Sequence, residues 1–207
     1  MAGGAELAEA VLAVVKEGYS AHKRIVFNGD NYSDDWHTEA ESRGLSNLRQ
    51  TPDALPALIS EPAVKVMGDY DVLSERELES RYEVFVEQYI AKLNIESETT
   101  FSMAKTLLLP AAIRYLGELG LAGDGAGVSA IKAEVSGLVD DFVERIAALA
   151  AANEGHPEGD LLDAAKYVQG TVVPAMDAVR EIADKLERVV PDSLWPLPKY
   201  AEILFIK

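Results

Sequence analysis

The sequence predicts an all-α fold: a bundle of three long antiparallel helices, the first kinked at Pro110, with several short N-terminal helices and one short extended segment. Three observations predict it. From Ser74 to Pro110 no Gly or Pro interrupts the chain, and Leu78, Tyr82, Phe85, Val86, Tyr89, Ile90 and Leu93 recur at helical spacing as one wide apolar stripe. Two further runs, Val128 to about Asn153 and Asp160 to about Val190, repeat that period. The connections between them carry turn residues and are short, and short turns make antiparallel neighbours.

Taken in order, Ala5 to Ser20 predicts a first helix through Leu7, Val11, Leu12, Val14 and Val15, weakened by Gly18. Arg24 to Phe27 is a short β-branched and aromatic run, expected to be extended. It leads into Asn28-Gly29-Asp30-Asn31, a cluster of turn residues that tolerate positive φ. Ser33 should cap a helix carrying Asp34 and Asp35 in its first turn, with Gly44 as its stop. Thr51-Pro52 opens a short helix to about Ile59, and Pro62 to about Tyr70 predicts another.

The long central helix opens on Ser74, with Glu77 placed to close a capping box. At roughly 35 residues it is about 50 Å long, so other long helices must cover its stripe. Gly117 to Gly127 is the clearest flexible connection. The next helix is apolar at Ile131, Val135, Leu138, Val139, Phe142, Ile146 and Leu149, and Gly155-His156-Pro157 turns it. Pro174 should bend the third long helix, which Asp160 caps. Leu194 to Pro198 is expected to be extended, with a last helical turn or two in PKYAEILF. The domain reading is 1–72 for the N-terminal helix, turn and short helices packing on the bundle, and 73–207 for the bundle and tail, together one compact unit.

The formal charge is −16 over 207 residues. Nucleic acid is not an expected partner, because its phosphates need Lys and Arg, and an anionic membrane surface is disfavoured for the same reason. Apolar runs fall far short of a spanning helix, and MAGGAELAEA lacks the basic flank and apolar core of a secretory signal; Met1 to Gly4 look like a fragment start. No cysteine is present, which excludes disulfides and thiolate chemistry and fits a cytoplasmic location.

Candidate chemistry is sparse. His22, His37 and His156 lie in different predicted elements; His37 and Glu41, four apart on one helix, offer two metal ligands and need a third. Glu96 and Thr100 fall where the long stripe should continue, as polar residues would at a bundle site, although drift of the face into solvent is the commoner outcome. Glycines 123, 125 and 127 miss dinucleotide-binding spacing and have no phosphate-loop lysine. Arg76, Glu79, Arg81 and Glu83 form a charged helix face of the kind that is usually solvated. The best candidate contact surface is Asn28, Gly29, Asp30, Tyr32, Trp36 and His37: turn backbone, one carboxylate and aromatic rings beside a helix N-terminus. No catalytic residue and no metal site emerges.

HKRIVFNGDNYSDDWHTEAESRGLSNLRQTPDALP, from His22, resembles a segment of the type III glutamine synthetases, and so do VLSERELESRYEVFVEQY, MAKTLLLPAAIRY and WPLPKYAEILF. The resemblance runs from about Leu12 and is weakest from Gly117 to Asp160. It implies a full enzyme that joins ammonia to glutamate with ATP and a divalent metal (Mg or Mn) in a large ring-shaped oligomer. It also implies that this chain is the C-terminal helical region, with the catalytic domain and neighbouring subunits as partners and with no catalytic residue or cofactor of its own. Two departures stand out. The family's usual glycine after Asn-Gly-Asp is Asn31 here, where a left-handed backbone is expected, and SETTF at 97–101 replaces small apolar residues. The expected role is structural, bracing the catalytic domain or oligomer. The alternative is a stand-alone regulatory module binding a partner protein or small metabolite; an independent metal enzyme built on His37 and Glu41 is the third reading.

Overall fold

Backbone hydrogen bonds local to each segment explain where the helices begin and end. The computed structural model describes residues 6–155, 157 and 159–205, without the side chains of residues 200 and 201. Met1 to Gly4 and His156 therefore lie outside the described residues. The helices are α1 (Leu7–His22), α2 (Asp34–Ser42), α3 (Thr51–Ala54), α4 (Glu61–Asp69), α5 (Glu75–Met103), α6 (Leu109–Leu121), α7 (Ala126–Glu154), α8 (Leu161–Tyr167), α9 (Val173–Val189) and α10 (Tyr200–Leu204), with 3₁₀ turns at Lys23–Ile25 and Leu55–Ile59. No strand occurs among the described residues; the all-α class holds. Only part of Arg24–Phe27 is extended. Lys23–Ile25 form a 3₁₀ turn, and the extended backbone begins at Val26 (φ −92°, ψ 124°).

The caps form as their residue types dictate. Ser33 accepts from the Trp36 N–H, and Asp160 from the Asp163 N–H at 2.9 Å. At α5 the box is reciprocal: the Ser74 side chain accepts from the Glu77 N–H, and Glu77 Oε2 accepts from the Ser74 N–H at 2.8 Å. Both bonds satisfy N–H groups that a helix start leaves without partners. At the C-terminus of α2, Gly44 N–H reaches Glu41 O and Leu45 N–H reaches Ala40 O, both at 2.9 Å, with Gly44 at φ +70°. The end of α4 repeats the pattern, Asp71 N–H to Gly68 O and Val72 N–H to Met67 O, but a non-glycine residue, Asp71, holds the left-handed position at φ +54°.

Neither internal proline ends its helix. Ala104–Leu108 and Val168–Val172 are π-helical turns, each finishing two residues before a proline, Pro110 and Pro174. Leu109 N–H bonds to Ala104 O and Val173 N–H to Val168 O, five residues back. A proline lacks the N–H for the i−4 carbonyl, and its ring collides with that carbonyl; widening the preceding turn relieves both problems. α5, the first π turn and α6 thus form one continuous helical run from Glu75 to Leu121.

The contacts divide the chain into two units, one ending at Gln50 and one starting at Thr51. In the second unit α7 packs chiefly on α9 and α6, and α5 packs on the Leu55–Ile59 turn and α8. Its core joins Ala104, Leu108 and Ala112 to Val135, Phe142 and Leu149 of α7 and to Val179, Ile182 and Leu186 of α9, with Trp195 folded in from the tail. The α5 stripe is buried at Leu78 and Val86 and half-buried at Tyr82, Tyr89, Ile90 and Leu93, whereas Phe85 is exposed. Ile131 likewise faces out at the start of α7. Burial raises the hydroxyl pKa of Tyr89, and the Asp53 carboxylate adds to the effect.

The middle of α5, where SETTF replaces apolar residues, packs through a small polar side chain. Ser97 is buried, and its hydroxyl donates to Asn153 Oδ1 on α7. Asn153 Nδ2 is buried without a partner. Thr100 is half-buried, with its hydroxyl turned to its own helix at Glu96 O (2.8 Å), and the Glu96 side chain is exposed. No inward carboxylate stands there.

Candidate functional site

The surface singled out from sequence lies in the unit that ends at Gln50. It is built on the Ser33 cap. Asp30 Oδ1 accepts from the Tyr32 N–H at 2.9 Å, and the Ser33 hydroxyl donates to Asp30 O at 2.7 Å, so a side chain and a carbonyl of the turn both serve to close it. Asn28 to Asn31 contain no positive φ, contrary to the expectation for Asn31. Gly29 is needed for space instead: a Cβ there would lie 2.5 Å from Phe27 Cζ.

The Phe27 and Trp36 rings stack with centroids 4.5 Å apart, and the Arg43 guanidinium lies 5.8 Å from the Trp36 centroid. Arg43 also donates through Nη1 to Val26 O at 2.8 Å and to Arg24 O at 3.1 Å, and its Nε pairs with Glu39 Oε1 at 2.7 Å. One guanidinium therefore satisfies the carbonyls of the segment before the turn and clamps it to α2. Sequence reasoning missed Arg43, whose only local signal was Glu39 four residues earlier.

The six candidates are only partly brought together. Asn28, Gly29 and Asp30 are exposed in the turn, Tyr32 is 96% exposed, and Trp36 and His37 are half-buried on α2. The Asp30 carboxylate, already an acceptor for the turn backbone, keeps lone pairs for a ligand. His22 is exposed on α1, and Glu41 is exposed one turn beyond His37. Among the described residues no three His, Asp or Glu side chains converge on a metal position. Glycines 123 and 125 fall in the α6–α7 connection, and Gly127 lies in the first turn of α7.

In the second unit a groove of about 400 Å³ runs between α5, the first π turn, α9 and the tail. Met103, Leu108, Val179 and Trp195 make it mostly apolar; Arg180, Asp184 and Glu187 add charge, with Arg180 Nε 3.7 Å from Asp184 Oδ2. Such a groove accepts an apolar side chain or small molecule. The tail that forms one wall is tied back by Lys199, whose Nζ donates to Val190 O at 3.1 Å and pairs with Asp192. Trp195 in the WPLP tail was the one sequence signal for this wall.

A family model for the glutamine synthetase C-terminal domain matches residues 10–123. The chain belongs to that family. It is 32% identical over 212 residues to the type-3 glutamine synthetase of Dictyostelium discoideum, covering 94% of this chain and 28% of that protein. It is 33% identical over 215 residues to the glutamine synthetase of Butyrivibrio fibrisolvens, covering 98% of this chain and 30% of that protein. The Bacteroides fragilis glutamine synthetase is 31% identical over 218 residues, with 96% and 29% covered. The chain thus spans less than a third of the length of these relatives. Both regions described above, the Arg43-clamped turn and the first part of the groove wall, include residues within the matched 10–123 segment. No helix among the described residues is long and apolar enough to cross a membrane.

Proposed function

We propose that this chain acts as the C-terminal helical domain of a type III glutamine synthetase, with a structural role: bracing the catalytic domain or the contacts between subunits. The single observation carrying this reading is the match across 94–98% of this chain but only 28–30% of each synthetase, together with a family model described as the C-terminal domain. In this reading the whole enzyme ligates ammonia to glutamate, and ATP and a divalent metal bind on residues other than those described. Incubating the 207-residue chain with glutamate, ammonia, ATP and Mg²⁺ or Mn²⁺ is expected to yield no glutamine. Measurable turnover by the chain alone overturns the reading.

A second reading, a regulatory module for a partner protein or small metabolite, is favoured by one observation: Tyr32 is almost wholly exposed beside the half-buried Trp36 and the turn at Asn28–Asp30. Titrating ATP, glutamine and 2-oxoglutarate while following Trp36 and Trp195 fluorescence separates the readings. A saturable change lost in Trp36→Phe supports the turn as a ligand site, and a flat response across the panel removes the small-molecule form of this reading.

A further inference from the structure

Of the five asparagines in the chain, Asn28 alone precedes a glycine. That pairing puts a carboxamide carbon and a backbone nitrogen where they can close a five-membered ring, and Gly29 has no side chain to crowd the approach. Both groups are also uncommitted: neither the Asn28 carboxamide nor the Gly29 N–H makes a hydrogen bond among the described residues. The other four asparagines are held back. The Tyr32 N–H that follows Asn31 already donates to Asp30 Oδ1 at 2.9 Å. Leu48 follows Asn47, and its branched side chain crowds the nitrogen. Asn94 and Asn153 lie inside α5 and α7, where the helix fixes the backbone and engages the following N–H, and Asn153 Oδ1 also accepts from Ser97.

We infer that Asn28 is a site of spontaneous deamidation and isoaspartate formation in the folded chain. The Gly29 nitrogen, giving its proton to hydroxide, attacks Asn28 Cγ. The new C–N bond closes a succinimide while the Cγ–Nδ2 bond breaks, and ammonia leaves with a proton taken from water. Water then adds to the ring, so the net exchange is one water in and one ammonia out. Opening at Cγ leaves aspartate; opening at the α-carbonyl leaves isoaspartate, whose main chain runs through Cβ and Cγ. Nothing from outside the turn is needed except water, and the inference does not rest on the domain reading. Either product places a second carboxylate beside Asp30 on the candidate contact surface. Isoaspartate also adds one carbon to the main chain between Phe27 and Gly29. The Phe27 ring, which fills the space of a Gly29 Cβ and stacks on Trp36 with centroids 4.5 Å apart, then loses its register.

The test incubates the 207-residue chain at mildly alkaline pH and follows ammonia release, isoaspartate content and the mass of the tryptic peptide 25–43. A synthetic peptide of residues 25–33 gives the rate without the folded turn. The chain is expected to convert Asn28 at no less than about a tenth of the peptide rate, a factor equal to about 1.4 kcal/mol of turn order. The rate should rise with hydroxide concentration, and fragmentation should place the change at Asn28 and not at Asn31 of the same peptide. Asn28→Gln, which would need a larger ring, should release no ammonia from this segment. The isoaspartate form should exchange amide hydrogens at 27–36 faster than Asn28→Asp, which carries the charge without the longer main chain; equal exchange rejects the loss of Phe27 register. An intact Asn28 after the peptide has converted overturns the inference, because the folded turn then forbids ring closure. Equal conversion at Asn31 or Asn47 overturns it as well, since the uncommitted Gly29 nitrogen would then not select the site.

Discussion

The unit ending at Gln50 and the unit starting at Thr51 are stabilised by different means. In the first, Ala40 is the one buried residue among those described, and order comes from the Ser33 cap, the Gly44 terminus and the Arg43 clamp. In the second, side chains such as Phe142, Leu78, Leu149 and Leu186 are wholly buried and the helices share them. The comparison teaches what each unit is sensitive to. A region with little buried apolar area depends on individual polar contacts, while a packed core depends on volume.

The largest expected effect breaks the packed unit. Phe142→Ala empties a fully buried aromatic position, and about 3–5 kcal/mol should be lost, read as a lower denaturant midpoint. The same volume change at Phe85 should cost far less, because that ring is exposed.

Arg43→Ala tests the other side of the comparison. It leaves the Arg24 and Val26 carbonyls without their donor and uncovers Trp36, for an expected local loss of about 1–3 kcal/mol. Faster hydrogen exchange confined to 24–44, with the midpoint of the second unit unmoved, is the expected outcome. A global loss of stability would show that the two units do not respond separately.

Smaller is the capping box of α5. The Ser74 N–H and hydroxyl donate to Glu77 and hold its carboxyl below the usual carboxylate range; burial opposes them, and Arg81 adds a smaller pull downward. A folded pKa below the unfolded one means the contribution is complete above the ordinary carboxylate value of about 4.3 and disappears as pH falls through the lowered one. Ser74→Ala should cost about 1 kcal/mol near neutrality and should flatten the acid limb of the stability–pH curve.

The smallest pair exploits two helix ends of one geometry. Gly44→Ala places a Cβ in the left-handed region and should cost about 1 kcal/mol, whereas Asp71→Gly removes one and should stabilise by roughly 0.5–1 kcal/mol. Thermal denaturation of the two variants should shift in opposite directions.

Helix starts and stops were legible because they depend on residues three or four apart: Ser33, Ser74 and Asp160 cap, and Gly44 ends α2, as their side chains dictate. Much of the candidate surface was legible for the same reason, since Asp30, Tyr32, Ser33 and Trp36 bond within one turn. The Arg43 clamp was not, because its carbonyl partners lie 17 and 19 residues away. Nor was the Ser97–Asn153 bond, whose partners are 56 residues apart and which explains why a serine sits inside a stripe expected to be apolar.

By itself the sequence determined the helical class, the caps and the family resemblance, all of which depend on local pattern or ordered blocks. Only the tertiary structure decided how Pro110 and Pro174 are accommodated, since a π turn or a break satisfies the same local chemistry; the π turns bury Ala104 and Leu108 in one core cluster and Val168 and Val172 in another. It also decided which apolar faces are covered. Periodicity shows that a helix has an apolar face; burial requires a second surface, which α7 finds on α9 and α6.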